Sequence, residues 1–469
     1  MKTPFLPWFA SVLLLAGNLP LIAATHYVNL NSANPVAPYT SWATAATNIQ
    51  DAVDAAVSGE LVLVTNGIYA TGGHKWVDSG TNRVTLTNSI TLQSVNGPAV
   101  TWIVGARING TGPNLANAVR CVGIGGSAVL SGFTLTNGSG GWGNYPAGGG
   151  VAAIRTVTAA SLITNCIITD CVATNSTGGG ASRVNLANCV LIRNSASSGG
   201  GASACSLINC LVVSNTATTG GGVYGNSTVG YSTINGCTIV GNTGGGVANG
   251  GSGTMRNCIV YYNTGGNYTG ILMNYCCTTP ILPGDLTSLT NEPVFVHLAA
   301  GNFRLQTNSP CINKGNNSFA TNTTDLDGYP RINGGLVDLG AYEYILTPSG
   351  LSYHTWAQLY GLATDGSADY ADADADGMNN WNEWRTGTNP TNAASVLQMH
   401  SPSSYAIGVK LTWPGANGVN YLVQRSTNLS EPSNFVTIRT NLPGQAGTMT
   451  YVDITATNGV PYFYRVGVP

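Results

Sequence analysis

Apolar and polar residues alternate along this chain in short runs, and the runs themselves repeat. NCIITDC (165–171), NCVLIRN (188–194), NCLVVSN (209–215), GCTIVGN (236–242) and NCIVYYN (257–263) are versions of one phrase, with cysteines 21 to 27 residues apart. Within each copy, alternate positions such as Ile168, Leu191, Val212 and Ile239 carry aliphatic bulk. Period-two alternation over so few residues predicts a strand, and recurrence near 20 residues predicts a solenoid of stacked coils. Glycine triplets at Gly178–Gly180, Gly199–Gly201, Gly220–Gly222 and Gly244–Gly246 mark corners expected to need positive φ. Five residues after the cysteine stands Asn194, Asn215, Asn242 or Asn263, with Cys171 in the first copy. Asparagine tolerates the left-handed region, so these positions are expected to turn a corner and to hydrogen-bond their copies above and below. One coil buries too few side chains to offset the entropy of ordering it, so only the stack is stable, and its ends need caps.

The same alternation opens the mature chain. ELVLVTNGIY (60–69), VTLTNSITLQSV (84–95) and AVLSGFTLTNG (128–138) read as strands punctuated by Asn and Gly. Ala46–Ala56 has helical spacing and reads as a capping helix. Lys2, the apolar run Phe9–Ala16 and the small residues Ala23 and Ala24 read as an export signal over 1–24, too short for a membrane span. No later stretch reaches spanning length, so a secreted or cell-surface protein is expected.

The texture changes after Leu346. A linker with two short helices, HTWAQLYGL (354–362) and NNWNEWRTG (379–387), fills 347–394. From 395 to 469, strands alternate with turns as in a small β-sandwich. The expected architecture is therefore all-β: a parallel β-helix over 25–346, a helical segment with an acidic loop, and a terminal sandwich.

Charge sharpens the picture by its scarcity. Charged residues make up 8% of the 469, and the net charge is −2. That leaves no basic footprint for nucleic acid. Between Arg83 and Pro283 there is one carboxylate, Asp170, and no His or Lys. Glycoside hydrolysis needs two carboxyl groups about the bond, so the repeats are a poor place for it. The weak catalytic candidates are Lys75 and Asp78, in a loop with His74 and Arg83, and Asp170, which lies one coil from Arg193 and is expected to pair with it. A chain without catalysis is the leading expectation, with a polysaccharide lyase or glycoside hydrolase acting outside the repeats as the alternative. Trp142, Tyr145, Tyr224, Tyr261, Tyr262 and Tyr268 are candidate sugar-stacking rings.

The sharpest chemistry is Asp372-Ala-Asp374-Ala-Asp376-Gly377 with Glu383 at the twelfth position. Calcium takes oxygen ligands from positions 1, 3 and 5, a carbonyl at 7, position 9 and a bidentate Glu at 12. Those positions are Asp372, Asp374, Asp376, the Met378 carbonyl, Asn380 and Glu383. A structural calcium site is expected. Asn379 stands at the eighth position, where an apolar residue is usual in paired sensor loops. Asp325, Asp327, Asp338 and Glu343 form a second acidic set, read as turn chemistry with Arg331 as partner, with another calcium site or a polar cap on the last coil as the alternative. Of the 11 cysteines, the one in each repeat is expected to be a buried thiol, and Cys276 or Cys277 is the better candidate to bridge Cys311.

The repeat phrases resemble the right-handed parallel β-helix superfamily of pectate-lyase-like fold, and also the short repeats of chlamydial-type polymorphic outer-membrane proteins. The opening PYTSWATAATNIQDAV resembles exported β-helix proteins, and DLDGYPRINGGLVDLGAYEY (325–344) resembles the closing motif of the choice-of-anchor Q family. The acidic loop is similar to single calcium loops of dockerin and thrombospondin type 3 kind. The last segment, with Trp413 early and Tyr462, Tyr464 and Arg465 late, resembles a fibronectin type III domain. These resemblances imply an exported β-helix protein; the carboxylate-poor coil wall and the accessory domains of adhesive type lead to the expectation that it binds polysaccharide or cell-surface glycan.

Overall fold

The computed structural model describes residues 23–468 apart from 77–79, 108–117, 141–147, 155–160, 229, 333–334, 345–352, 364–367, 406, 418, 429–434 and 457–460, and gives the backbone alone at 76, 354 and 355. Residues 1–22 of the export signal expected over 1–24, and Asp78, Trp142 and Tyr145, lie outside the described residues.

The repeats stack as a parallel β-helix. Strands Gly67–Tyr69, Thr101–Val104, Thr134–Thr136, Ile167–Thr169, Val190–Ile192, Leu211–Val213, Thr238–Val240, Ile259–Tyr261 and Cys277–Thr278 form one nine-stranded sheet. Its neighbours pair parallel and in register: Ile168 lies on Leu191, Leu191 on Val212 and Val212 on Ile239. All four are buried in the core between the sheets, as their alternation requires. A 17-stranded sheet forms the remaining walls, and a three-stranded sheet adds a short one.

Each run read as one strand in the first coils is two, broken by a corner. Residues 60–69 divide into Leu61–Val64 and Gly67–Tyr69, and residues 128–138 into Val129–Ser131 and Thr134–Thr136. The capping helix α1 (Ile49–Ala55) begins later than its spacing suggested, because the Asn48 side chain accepts from the Asp51 N–H and fixes the start.

The asparagines divide their labour differently from expectation. The residue before each cysteine is the one in the left-handed region: Asn165, Asn188, Asn209, Gly236 and Asn257 have φ of 51–59°. The later asparagine is not left-handed; the residue preceding it is (Arg193, Ser214, Gly241 and Tyr262). Asn194, Asn215 and Asn242 are instead fully buried and form a ladder. Oδ1 of Asn215 accepts the Asn194 N–H at 2.9 Å, Oδ1 of Asn242 accepts that of Asn215 at 3.0 Å, and Oδ1 of Asn263 that of Asn242 at 2.9 Å. Each Nδ2 donates to a carbonyl of the preceding coil, as Asn215 does to Leu191 O at 2.9 Å. The corner amides that the strands leave unpaired are thus satisfied inside the core.

Only the first glycine of most triplets needs positive φ (72° at Gly178, 65° at Gly199). The others are small because the coils touch there. A Cβ on Gly200 would stand 2.5 Å from Thr216 O, and one on Gly201 would stand 2.6 Å from Gly222 O.

All eleven cysteines are buried. Cys166, Cys189, Cys210, Cys237 and Cys258 line one file in the solenoid core. Cys276 continues that file, with its thiol donating to Met255 O and Asn274 O, so it is no bridge partner for Cys311.

A second core lies outside the nine-stranded sheet. Residues 295–344 fold back over its outer face, where Leu211, Val213, Val240, Ile259 and Cys277 pack against Phe295, Phe303, Leu305, Cys311, Leu339 and Tyr342. Tyr261 and Tyr262 pack partly buried against this core, so they form no open sugar-stacking surface there. The corner residues grip the same closing segment. Asn209 donates to Thr324 O at 3.2 Å, and Asn257 Nδ2 donates to Asn316 O at 3.0 Å.

The fourth repeat departs from its siblings at two places, and both serve this contact. Gly236 replaces the usual asparagine where the Arg331 guanidinium passes; a Cβ would meet its Nη2 at 2.8 Å. Thr238 replaces an aliphatic residue and its hydroxyl accepts the Ala341 N–H at 2.9 Å.

Residues 347–394, read as a linker, contain α2 (Tyr353–Leu359) and α3 (Asn380–Thr386), which pack on the closing segment. Tyr353, Trp356, Trp381 and Trp384 surround its Tyr329 in a third apolar cluster. The C-terminal residues form two three-stranded antiparallel sheets around Leu411, Trp413, Tyr421 and Val423. Among the described residues no helix is long and apolar enough to cross a membrane.

Thr238→Val keeps the side-chain shape but strips the acceptor from the buried Ala341 N–H. The expected cost is about 1–3 kcal/mol, read as faster hydrogen exchange over residues 337–343 with rungs 185–215 unchanged. Unchanged exchange at 337–343 would contradict this role for Thr238.

Candidate metal centre and an N-terminal cavity

The acidic loop is held from both sides. Asn380 N–H donates to Ala371 O at 2.9 Å, and Trp381 N–H to Asp369 O at 2.9 Å, which closes residues 369–381 on themselves. Asn380 Nδ2 also donates to Ala368 O at 2.8 Å. Asn379 caps α3 by accepting the Asn382 N–H at 2.9 Å, which explains the polar residue at the eighth position. Gly377 has φ of 95°, a conformation that favours glycine and lets the loop reverse.

This turn brings Asp372, Asp374 and Asp376 together, with one oxygen of each within 4.8 Å of the others. Part of the set is spent on the loop: Asp372 Oδ2 accepts the Gly377 N–H at 2.9 Å, and Asp376 Oδ1 accepts the Met378 N–H at 2.7 Å. The rest is not. Asp374 Oδ2, Asp376 Oδ2, Asn380 Oδ1 and Glu383 Oε2 are buried with no hydrogen-bond partner. Four orphaned oxygens from positions 3, 5, 9 and 12 are costly in a folded protein unless a cation takes them. Glu383 is wholly buried, and burial together with Asp374, Asp376 and Asp372 pushes its carboxyl up to about 7. The loop therefore fits a hard, oxygen-seeking metal ion.

The second acidic set makes no such site. Asp325 accepts the backbone N–H groups of Asp327, Tyr329 and Glu343, and Asp338 those of Asn313 and Tyr344. Glu343 pairs with the buried Arg331 at 2.6 Å, and Asp327 with Arg304 at 2.7 Å. These carboxylates tie down the closing segment. Arg304 was not singled out in the sequence, yet it joins two units: it pairs with Asp327, reaches Asp369 at 3.6 Å and lies 4.7 Å from the Trp381 ring centroid. Only its distance in sequence from the acidic loop hid that role.

The catalytic candidates scatter. Asp170 pairs with Arg193 at 2.7 Å on the surface, and that bond lowers its pKa. Lys75 is exposed on a hairpin strand. His74 and Arg83 do meet, at a cavity of about 260 Å³ whose lining also includes Asn48, Asp51, Tyr69 and Thr71. The Arg83 side chain donates to Val104 O at 2.8 Å and to Gly72 O, while His74 Nδ1 is buried without a partner. Among the described residues, Asp51 is the one carboxylate of that lining. Asp51 and Tyr69 belong to the cap in sequence, and nothing in their spacing pointed to His74.

No family model and no curated protein matches the chain. Among solved structures it is similar to the pectate lyase Pel9A (TM-score 0.39, 16% identity, 68% of this chain and 96% of that one). It is also similar to a rhamnogalacturonan lyase (0.27, 15%, 57% and 66%) and to a pectin methylesterase variant in complex with a hexasaccharide (0.25, 13%, 54% and 80%).

Proposed function

We propose that this chain is an exported β-helix protein that binds polysaccharide without cleaving it and carries one structural calcium ion. The observation that supports binding rather than hydrolysis is the composition of the 260 Å³ cavity: an arginine, a histidine with an unspent ring nitrogen, amide and hydroxyl groups, and one carboxylate. Such a lining suits sugar hydroxyls and the carboxylate of a uronic acid, and its described residues do not include the paired carboxyl groups of glycoside hydrolysis. Calcium is favoured over other metals because every orphaned atom of the acidic loop is an oxygen. Asp372, Asp374, Asp376, Asn380 and Glu383 would hold it with the Met378 carbonyl, as a structural tie and not a reaction centre.

The polysaccharide reading is tested by affinity electrophoresis against uronate-bearing and neutral polymers, with parallel assays for unsaturated and reducing ends. Retardation by a uronate polymer without new ends is expected, with His74→Ala weakening it about tenfold. Release of ends that Lys75→Ala or Asp170→Ala abolishes would replace this reading with a polysaccharide lyase or glycoside hydrolase.

The calcium reading makes a proteolytic and a pH prediction. Calcium should protect residues 355–390 from protease, and Asp374→Ala or Glu383→Ala should abolish that protection. The raised carboxyl of Glu383 binds its proton more tightly in the folded, metal-free loop than in the unfolded chain. In chelator, its contribution to loop stability is therefore present at low pH and lost as pH rises through about 7. Calcium must displace that proton, so its affinity should rise over the same interval. Equal cleavage with calcium and with chelator, or an affinity indifferent to pH between 5 and 8, would contradict the assignment.

A further inference from the structure

Two thiols of the eleven sit apart from the rest. In the solenoid file each cysteine donates to the carbonyl two residues before it: Cys189 to Ala187 at 3.2 Å, Cys210 to Ile208 at 3.3 Å, Cys237 to Asn235 at 3.3 Å and Cys258 to Arg256 at 3.0 Å. These side chains repeat on successive rungs and point the same way into the core, so their Cβ vectors run side by side and do not converge, a poor arrangement for a bridge. Cys277 faces the opposite direction. It leaves the last strand of the nine-stranded sheet on the outer side and packs in the second core, against the closing segment that carries Cys311. Its thiol donates to Asn291 O at 3.1 Å, the neighbouring Cys311 thiol and burial push its pKa up, and both residues are fully buried in the one cluster. The two residues thus enter one buried cluster from two layers, the last rung below and the segment laid over it above.

We propose that Cys277 and Cys311 form a disulfide that staples the closing segment to the last rung. Two thiols lose two protons and two electrons to an external disulfide, which leaves as two thiols while the new S–S bond forms. Oxidation takes place as the segment docks, before both sulfurs are covered. The neighbouring contacts hold the pair in position: Cys277 N–H donates to Cys258 O at 2.8 Å, and Leu339 N–H donates to Cys311 O at 3.1 Å. The bridge secures the layer on which Tyr329 and the two tryptophan-bearing helices rest, so it protects the acidic loop as well as the solenoid end. Cys276, its sequence neighbour, takes no part.

The test is a thiol count and a peptide map on the full chain folded with oxidised glutathione. Under denaturing, non-reducing conditions nine thiols should react instead of all eleven. Trypsin cuts after Arg256, Arg304 and Lys314, so peptide 305–314, which holds Cys311, should remain joined to peptide 257–304. That second peptide also contains Cys258 and Cys276, and the variants separate them. Cys276→Ser should keep the link; Cys277→Ser should lose it and show all its remaining cysteines as free thiols. Cys277→Ser should also speed proteolysis within 295–344 at least tenfold, with β-sheet circular dichroism unchanged to show that the solenoid still folds. Eleven reactive thiols, or a link that survives Cys277→Ser, would overturn the proposal.

Discussion

The whole architecture depends on one constraint: each coil must present its backbone amides in register to the next. A rung of three residues per wall has little stability of its own. Its hydrogen bonds and its apolar contacts both lie above and below it, so corners must fall at the same height in every coil. The asparagine ladder enforces that alignment. One amide side chain, such as that of Asn215, satisfies an N–H and a carbonyl of the preceding coil, inside a core where either would be expensive to leave unpaired. Glycine is needed beside the ladder for a related reason, since the coils approach there more closely than a Cβ permits.

A stack with one bare apolar outer face would bind others of its kind or aggregate. Here the chain covers the face over its later rungs. The closing segment, braced internally by the Arg331–Glu343 pair, is fastened by the corner asparagines and by the Thr238 hydroxyl, and it offers Tyr329 as the seat for α2 and α3. The acidic loop is thereby attached to the solenoid through aromatic packing and Arg304, and a cation in that loop would stiffen the end cap. A route runs from metal ligands to the last rungs through named contacts.

Much of this was visible in the residues. The repeat, its strands, the inward aliphatic positions, the Asp170–Arg193 pair and the composition of the acidic loop follow from local patterns whose physics is local: alternation, turn residues, ligand spacing. What escaped was set by contacts distant in sequence. The left-handed residue could not be assigned between two asparagines of one phrase, because both types suit a corner and only stacking tells them apart. The closing segment read as turns, since its hydrogen bonds go to coils more than fifty residues away. Yet the trace was present: Gly236 and Thr238 break their repeat, and such departures mark where something else must fit. The cavity at His74 was legible only in part: its loop, with His74 and Arg83, stood among the candidates, but Asp51 and Tyr69 reach it from a helix and a corner distant in sequence.

The central claim is that the buried asparagines hold neighbouring coils together and do more than fill a corner. Native-state hydrogen exchange on Asn215→Ala, compared with the parent chain, measures this directly. The account predicts that protection falls on the flanking rungs at 190–194 and 238–242 as well as on the mutated one. A loss confined to residues 211–216, with both neighbours as protected as before, would contradict it.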